Sequence, residues 1–359
     1  MEELLKTPLY EKHKELNSKN VGFCGWDMPI QYDGIIAEHG YCRDDVALFD
    51  TSHMGEFFFK GDIETSGINS ATSINLEILP VGKCKYGFLL NENGGVIDDL
   101  IIYRLSDDEL MIVVNASRAA IDFKTITSRL KTGSLDDRSK EFAKLDVQGP
   151  NSKKVLQKYF DAEGINLDDM GFFSFIQTKI FGQDCLLSRT GYTGELGFEL
   201  YTNGETSVKI WDSLINEGVK PAGLGARDAL RLEMGYSLYG NDLTEEITPL
   251  EANLGMFVNL KRDYVGMQAL KNQKEKGLKR ILIPFKTTSR RSARKDFEVY
   301  QNDKKIGFVT SAAFSPILNQ GIGLAMVDLD FFNEETSFEL RDKRGSIEAN
   351  KASLPFIKK

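Results

Sequence analysis

The sequence predicts a mixed α+β chain of antiparallel sheets and helices that ends in a small all-β unit. Three observations predict it. A three-strand meander is legible at residues 84–115, helical patterns occupy 117–130 and 221–240, and residues 280–356 break into short strands separated by polar turns. That last spacing argues for a small antiparallel barrel or sandwich. At 359 residues the chain is too long for one ordinary core, which suggests two or three domains.

After a short helical start, VGFCGWDMPIQY (21–32) mixes glycine with Trp26 and Pro29, an irregular segment that cannot be a regular helix. Residues 38–48 read as helix and 55–60 as strand, with Met54 and Phe58 either core or ligand shelf. The meander comprises CKYGFLL, VIDDLIIY and ELMIVVN, joined by turns at Asn93-Gly94-Gly95 and Ser106-Asp107-Asp108. Ser117 reads as a possible N-cap of the next helix, and residues 151–160 as a further helix after Gly149-Pro150. Strands around 173–189 lead into SRTGYTGELGFELY (188–201), whose glycines lack the GxxxxGK[ST] pattern and a following helix. A wide turn is therefore preferred to a phosphate cradle. In residues 221–240 a helix begins with Gly225 as possible N-cap and Arg227 in its first turn, where the helix dipole disfavours a cation. Lysines thicken from Lys261 to Lys279 as an exposed helix and linker before the last strands. Gly321-Ile322-Gly323 precedes a strand, so it is no dinucleotide fingerprint.

The middle strand of the meander carries the chemistry. Asp98 shares a face with Val96 and Leu100, and Asp99 with Ile97 and Ile101. Buried carboxylates need partners, so at least one of the two meets solvent, a cation, donors or a ligand. With the second turn near Asp107, Asp99 falls opposite Asn115 and Tyr86 approaches from the other side, three polar groups converging beside an apolar face. Further on, Glu199 and Tyr201 share one strand face.

A net charge of −8 argues against nucleic acid as main partner. No apolar run approaches 18 residues, which argues against a membrane span, and the polar N-terminus reads as neither signal nor transit peptide. Cys24, Cys42, Cys84 and Cys185 are far apart and read as reduced thiols of a cytoplasmic protein. His13, His39 and His53 have no ligand spacing, and no metal is proposed.

Eight collinear stretches resemble the aminomethyltransferase (T-protein) family of the glycine cleavage system: TPLYEKH, GFCGWDMPIQY, FDTSHMGEF, NENGGVIDDLIIY, VVNAS, SRTGYTGELGFEL, PAGLGARDALRLE and VTSAAFSP. The resemblance spans nearly the whole chain. It implies a three-domain cloverleaf around a central folate hole, with a C-terminal antiparallel β-barrel. The domains would be 1–50 with 140–275, an inserted 51–139 carrying Asp99, and 280–359. It implies transfer of the carbon of an aminomethyl group on the lipoyl arm of the H-protein to the co-substrate tetrahydrofolate, giving 5,10-methylenetetrahydrofolate, ammonia and the dihydrolipoyl carrier.

Asp99 matches the family's key acid and Glu199 its pterin-binding glutamate, with Arg227 and Tyr236 beside the folate. Tyr86, Asn115, Met54, Ile101, Phe172 and Tyr192 would line the hole. A carboxylate can accept the paired N–H donors of a pterin ring bidentately, and a second one can stabilise a cationic carbon. Departures occur at Ala312, Ala313, Asn253 and Met256, and no contact to the folate's glutamyl carboxylates is assigned. Two other readings are a demethylase on the same fold and a non-enzymatic folate-binding iron–sulfur maintenance protein. The first needs a different donor pocket, and the second needs a Lys-Gly-Cys-aromatic signature that Lys83-Cys84-Lys85-Tyr86 does not supply.

Overall fold

The computed structural model describes residues 3–333 and 337–358, and its chain falls into two compact units, each built from three segments. Met1–Asn69, Leu76–Tyr86 and Leu100–Arg227 form the first; Ser70–Asn75, Gly87–Asp99 and Asp228–Lys359 form the second. The predicted mix of helices with antiparallel sheets and a final barrel is the observed one.

In the first unit a six-stranded sheet runs in the order Phe175–Ile180, Gln183–Ser188, Gly197–Thr202, Ala143–Gln148, Ala47–Asp50, Lys220–Pro221. All its pairings are antiparallel except the last. One face is apolar: Leu48, Leu145, Val147, Leu187, Phe198 and Leu200 pack with Ile210, Trp211 and Leu214 of the helix Gly204–Asn216. That helix begins where the Asn203 side chain accepts the Thr206 N–H at 2.9 Å, an N-cap. The opposite face is apolar only in part, and it carries the site described below.

Two local readings needed correction. Residues 19–31 form a hairpin, Lys19–Phe23 against Trp26–Gln31, turned through Cys24 and Gly25 at φ 50° and 85°. Both residues at positive φ is the geometry of a two-residue hairpin turn, here without the Asn-Gly signal. The expected helix at 38–48 instead spans Ile35–Asp44, and Ala47–Asp50 is an interior strand of the large sheet. Four residues suffice there because Asp50, fully enclosed, accepts from Thr7 at 2.6 Å and pairs with His13 at 2.8 Å.

The meander is present at the expected positions, within a five-stranded sheet ordered Cys84–Leu90, Val96–Arg104, Glu109–Val114, Gly55–Lys60, Ser134–Asp137. In the second unit its Asn93-Gly94-Gly95 turn is tied down locally. Asn91 donates to the Glu245 carbonyl at 2.9 Å and the Val96 N–H to Thr244 and Ile247 carbonyls at 3.0 Å. Residues 280–351 close a six-stranded antiparallel barrel in the order Arg280–Thr287, Gln320–Asp328, Lys304–Ser315, Glu298–Gln301, Phe338–Asp342, Gly345–Lys351. Ile283, Phe285, Val299, Val309, Leu340 and Ile347 fill it. Gly323 belongs to that packing, since a Cβ there would stand 2.3 Å from the Phe285 ring.

Candidate functional site

Alternation along Val96–Arg104 separates the two aspartates as expected. Asp98 is completely enclosed, while Asp99 is half-buried and on the face of Ile101 and Tyr103. Ile101 pairs with Val113 and Tyr103 with Met111, the register the turn at Ser106-Asp107-Asp108 predicts. Continued by two residues, the same register would set Asp99 opposite Asn115.

The first unit holds a charged layer in its interior. On Ala143–Gln148, Lys144, Asp146 and Gln148 share the face opposite Leu145 and Val147, so the sheet's second face turns polar. Across the ladder Tyr201 opposes Lys144, Glu199 opposes Asp146 and Gly197 opposes Gln148. Two carboxylates directly opposite one another repel, and a cation bridges them. Lys144 Nζ lies 2.7 Å from Asp146 Oδ1 and 2.7 Å from Glu199 Oε1, with Thr51 Oγ1 at 3.2 Å as its third partner. Asp146 Oδ2 then accepts from Arg227 Nη1 at 2.6 Å. Glu199, Lys144, Asp146 and Arg227 thus form one chain of alternating charge that sums to zero.

Each end is held from several sides. Glu199, 4% exposed, accepts on Oε2 from Thr190 at 2.6 Å and faces the hydroxyls of Tyr103 and Tyr201, both at 3.2 Å. Those hydroxyls also lie 3.0 Å apart, so two protons serve three contacts and the tyrosine bonds are the weak ones. Burial, and next the Glu199 charge, push both phenols well above their ordinary range, so they remain neutral donors. At the other end Arg227 lies over the Tyr192 ring, 5.1 Å from its centroid. Burial acts to raise the Asp146 carboxyl, but the charges of Lys144 and Arg227 outweigh it and hold it below the usual carboxylate range. His53, 8% exposed beside this cluster, is driven down to about 4, chiefly by burial, and among the described residues its Nδ1 has no hydrogen-bond partner.

Glycine makes the crossing possible. A Cβ at Gly191 or Gly197 would stand 2.0 or 2.1 Å from Gln148 Oε1, and Gln148 in turn bonds Thr190 O and the Thr193 hydroxyl. The 188–201 turn is therefore wrapped around a buried amide, in keeping with the wide-turn reading. The Arg227 helix runs Leu224–Glu233, two residues earlier than Gly225 as N-cap implies. Gly223 precedes it, its N–H donating to Glu38 Oε2 at 2.8 Å and its Cα packed on the Ile30 backbone. Arg227 tolerates its place in the first turn because Asp146 is there to receive it.

The remaining predicted residues differ in exposure. Met54 and Ile101 are half-buried on an apolar cluster with Tyr103, Tyr201, Met111, Val113 and Phe175. That cluster carries the two tyrosines that touch Glu199. Tyr86, Asn115, Tyr192 and Tyr236 are half-buried as well. Phe172 is 65% exposed, and its neighbour Phe173, at φ 56°, is the ring packed against the cluster. Sequence reasoning passed over Lys144, Asp146, Tyr103 and Thr190. The signal was present in AKLDVQ (143–148), where polar and apolar residues alternate as in a strand. Among the described residues no group of three or more His, Cys, Asp or Glu could hold a metal ion, and no helix is long and apolar enough to cross a membrane.

The family model described as the GCVT N-terminal domain matches residues 9–262, and that of the glycine cleavage T-protein C-terminal barrel domain matches 280–358. The chain belongs to the glycine cleavage T-protein family, a family of transferase enzymes. Its relatives carry a more particular name. A protein named Aminomethyltransferase from Listeria innocua serovar 6a is 40% identical over all of this chain and 99% of its own length. Another from Halothermothrix orenii is 42% identical over 98% of this chain and 99% of that protein. The crystal structure of glycine cleavage system aminomethyltransferase T from Bartonella henselae is similar at a TM-score of 0.92 and 31% identity, covering 99% of this chain and 98% of that one.

Proposed function

We propose that the protein moves the carbon of an aminomethyl group, carried on the lipoyl arm of an H-protein, to tetrahydrofolate. Ammonia, 5,10-methylenetetrahydrofolate and the dihydrolipoyl carrier are the products, and the setting is the cytoplasm. The domain limits proposed with it are 1–50 with 140–275, the insertion 51–139, and 280–359.

The observation that carries this reading is the charge chain whose two ends are Glu199 and Arg227, the residues to which the family resemblance gives folate roles. The pterin's side-by-side N–H donors suit a carboxylate edge. Glu199 has the capacity because, among the described residues, Oε1 accepts from Lys144 alone and the 3.2 Å tyrosine contacts are the easiest to exchange. Met54 and Ile101, half-buried against the cluster that contains those tyrosines, supply the apolar wall that an aromatic ring needs. Tyr86, Asn115, Tyr192, Tyr236 and Phe172 complete the proposed lining.

When bound, the reduced folate supplies the nucleophilic nitrogen that takes the carbon. Asp99 opposes the positive charge that develops on that carbon as ammonia leaves, and its half-buried position keeps the carboxylate from full hydration. It also orients the nucleophile, a contribution of position as much as charge. Aminomethyl-loaded H-protein mixed with tetrahydrofolate and the enzyme should release ammonia stoichiometrically with methylene transfer. Ammonia release that ignores tetrahydrofolate would refute the assignment.

A further inference from the structure

We infer that Lys144 is a positioning residue for the folate site: it fixes the Glu199 carboxylate and ties it, through Asp146, to Arg227. The inference rests on the functional reading above and adds to it a residue that touches no substrate.

Lys144 is 2% exposed, and its ammonium has three donors. All three have partners, namely Asp146 at 2.7 Å, Glu199 at 2.7 Å and Thr51 at 3.2 Å. No donor remains for a ligand, so any influence on binding passes through the carboxylates. Without this cation, Asp146 and Glu199 would face one another directly across an antiparallel pair in a nearly dry layer. One of them would rotate away or recruit water. With it, Glu199 Oε1 is pinned and its oxygens keep one orientation. Asp146 uses its other oxygen on Arg227, so a displacement at either folate contact is felt at the other.

Burial of ions seldom adds stability compared with an apolar replacement, and the best-attested use of such groups is to specify one arrangement. The sheet could have been closed with apolar side chains at both positions, as it is at Leu145 and Val147 on the other face. The ion chain therefore marks a place where orientation matters.

The test compares wild type with Lys144→Met, Lys144→Arg and the charge-neutral double variant Lys144→Met/Asp146→Leu, measuring KM for tetrahydrofolate and kcat with loaded carrier. The double variant keeps the interior neutral, so it remains informative if the single Met variant does not fold. We expect KM to rise at least tenfold in the double variant while kcat falls less than threefold, with Lys144→Arg recovering most of the loss. The KM penalty of Arg227→Met should shrink at least threefold in the double-variant background, because the two ends are no longer joined. A folded double variant with wild-type KM, or an unchanged Arg227→Met penalty, overturns the inference alone. A wild-type enzyme that shows no saturation by tetrahydrofolate overturns the functional reading, and this inference with it.

Discussion

Asp99 and Glu199 are both carboxylates on strands, and the proposed reaction gives them different work. Asp99 is half-buried, and Asp99→Asn should leave tetrahydrofolate binding largely intact while lowering kcat about 10²–10³-fold, the cost of removing one oriented charge from an enclosed site. Single-turnover rates with saturating folate and loaded carrier check this. Glu199→Ala should lose folate affinity first, seen by equilibrium titration. It should also lose stability, by less than the ~3–5 kcal/mol of a broken buried pair, because Asp146 keeps Lys144 paired. His53 is a third case. Its folded pKa of about 4 lies below the ordinary 6.5, so between those values the unfolded chain binds the extra proton and stability rises with pH. Acidifying from pH 6.5 to 4 should therefore cost up to ~3 kcal/mol from this residue. His53→Gln should flatten that part of the profile in urea titrations, whereas an unchanged slope would assign it to other groups. The lowered Asp50 and Asp146 carboxyls act lower still, their stabilisation persisting above the usual carboxylate range and lost as pH falls through their own folded values.

Among the elements, the meander and its first turn place Asp99. Gly95 is packed so closely on residue 245 that a Cβ would stand 1.8 Å from the Glu245 carbonyl oxygen. Gly95→Ala should force the turn away from that loop, destabilise the protein by roughly 1–3 kcal/mol, and lower kcat by displacing the strand that begins at Val96. Thermal melts together with steady-state rates check it, and a variant with an unshifted melt would mean that the loop yields freely. These elements were legible because each announced itself: Asn93-Gly94-Gly95 by residue types that tolerate positive φ, the strands by alternation, the barrel by evenly spaced turns. The hairpin at 19–31 was not, since Cys24-Gly25 does not look like a turn, and Ala47–Asp50 was not, being four residues long directly after a helix. The ion chain was hidden for another reason. Alternation in AKLDVQ tells that Lys144 and Asp146 share a face, but only the fold tells that this face is covered. Glu199 and Arg227 were found through motif resemblance; what joins them could not be.

On the scale of the whole molecule, the chain alternates between its two units in six segments, and Asp99 and Arg227 are each the last residue of one of them. Residues proposed for one reaction are thus spread over distant stretches of sequence, and none of the segments alone contains the set. The net charge is −8, yet Lys261, Lys271, Lys274, Lys276 and Lys279 are all exposed on a short stretch around the helix Met267–Lys276. If that stretch guides the carrier, association should slow as ionic strength rises from ~0.05 to 0.5 M, because the screening length falls to a few ångströms. Stopped-flow association rates decide, and a salt-independent rate would remove the lysines from the encounter.

The engagement of Lys144 has a chemical consequence as well. A carbon at the oxidation level of formaldehyde is readily captured by primary amines, and a loose lysine near it would be alkylated in time. An ammonium has no lone pair to offer such an electrophile, and Lys144 is paired with two carboxylates, so this interior can hold a cation without harbouring a rival acceptor.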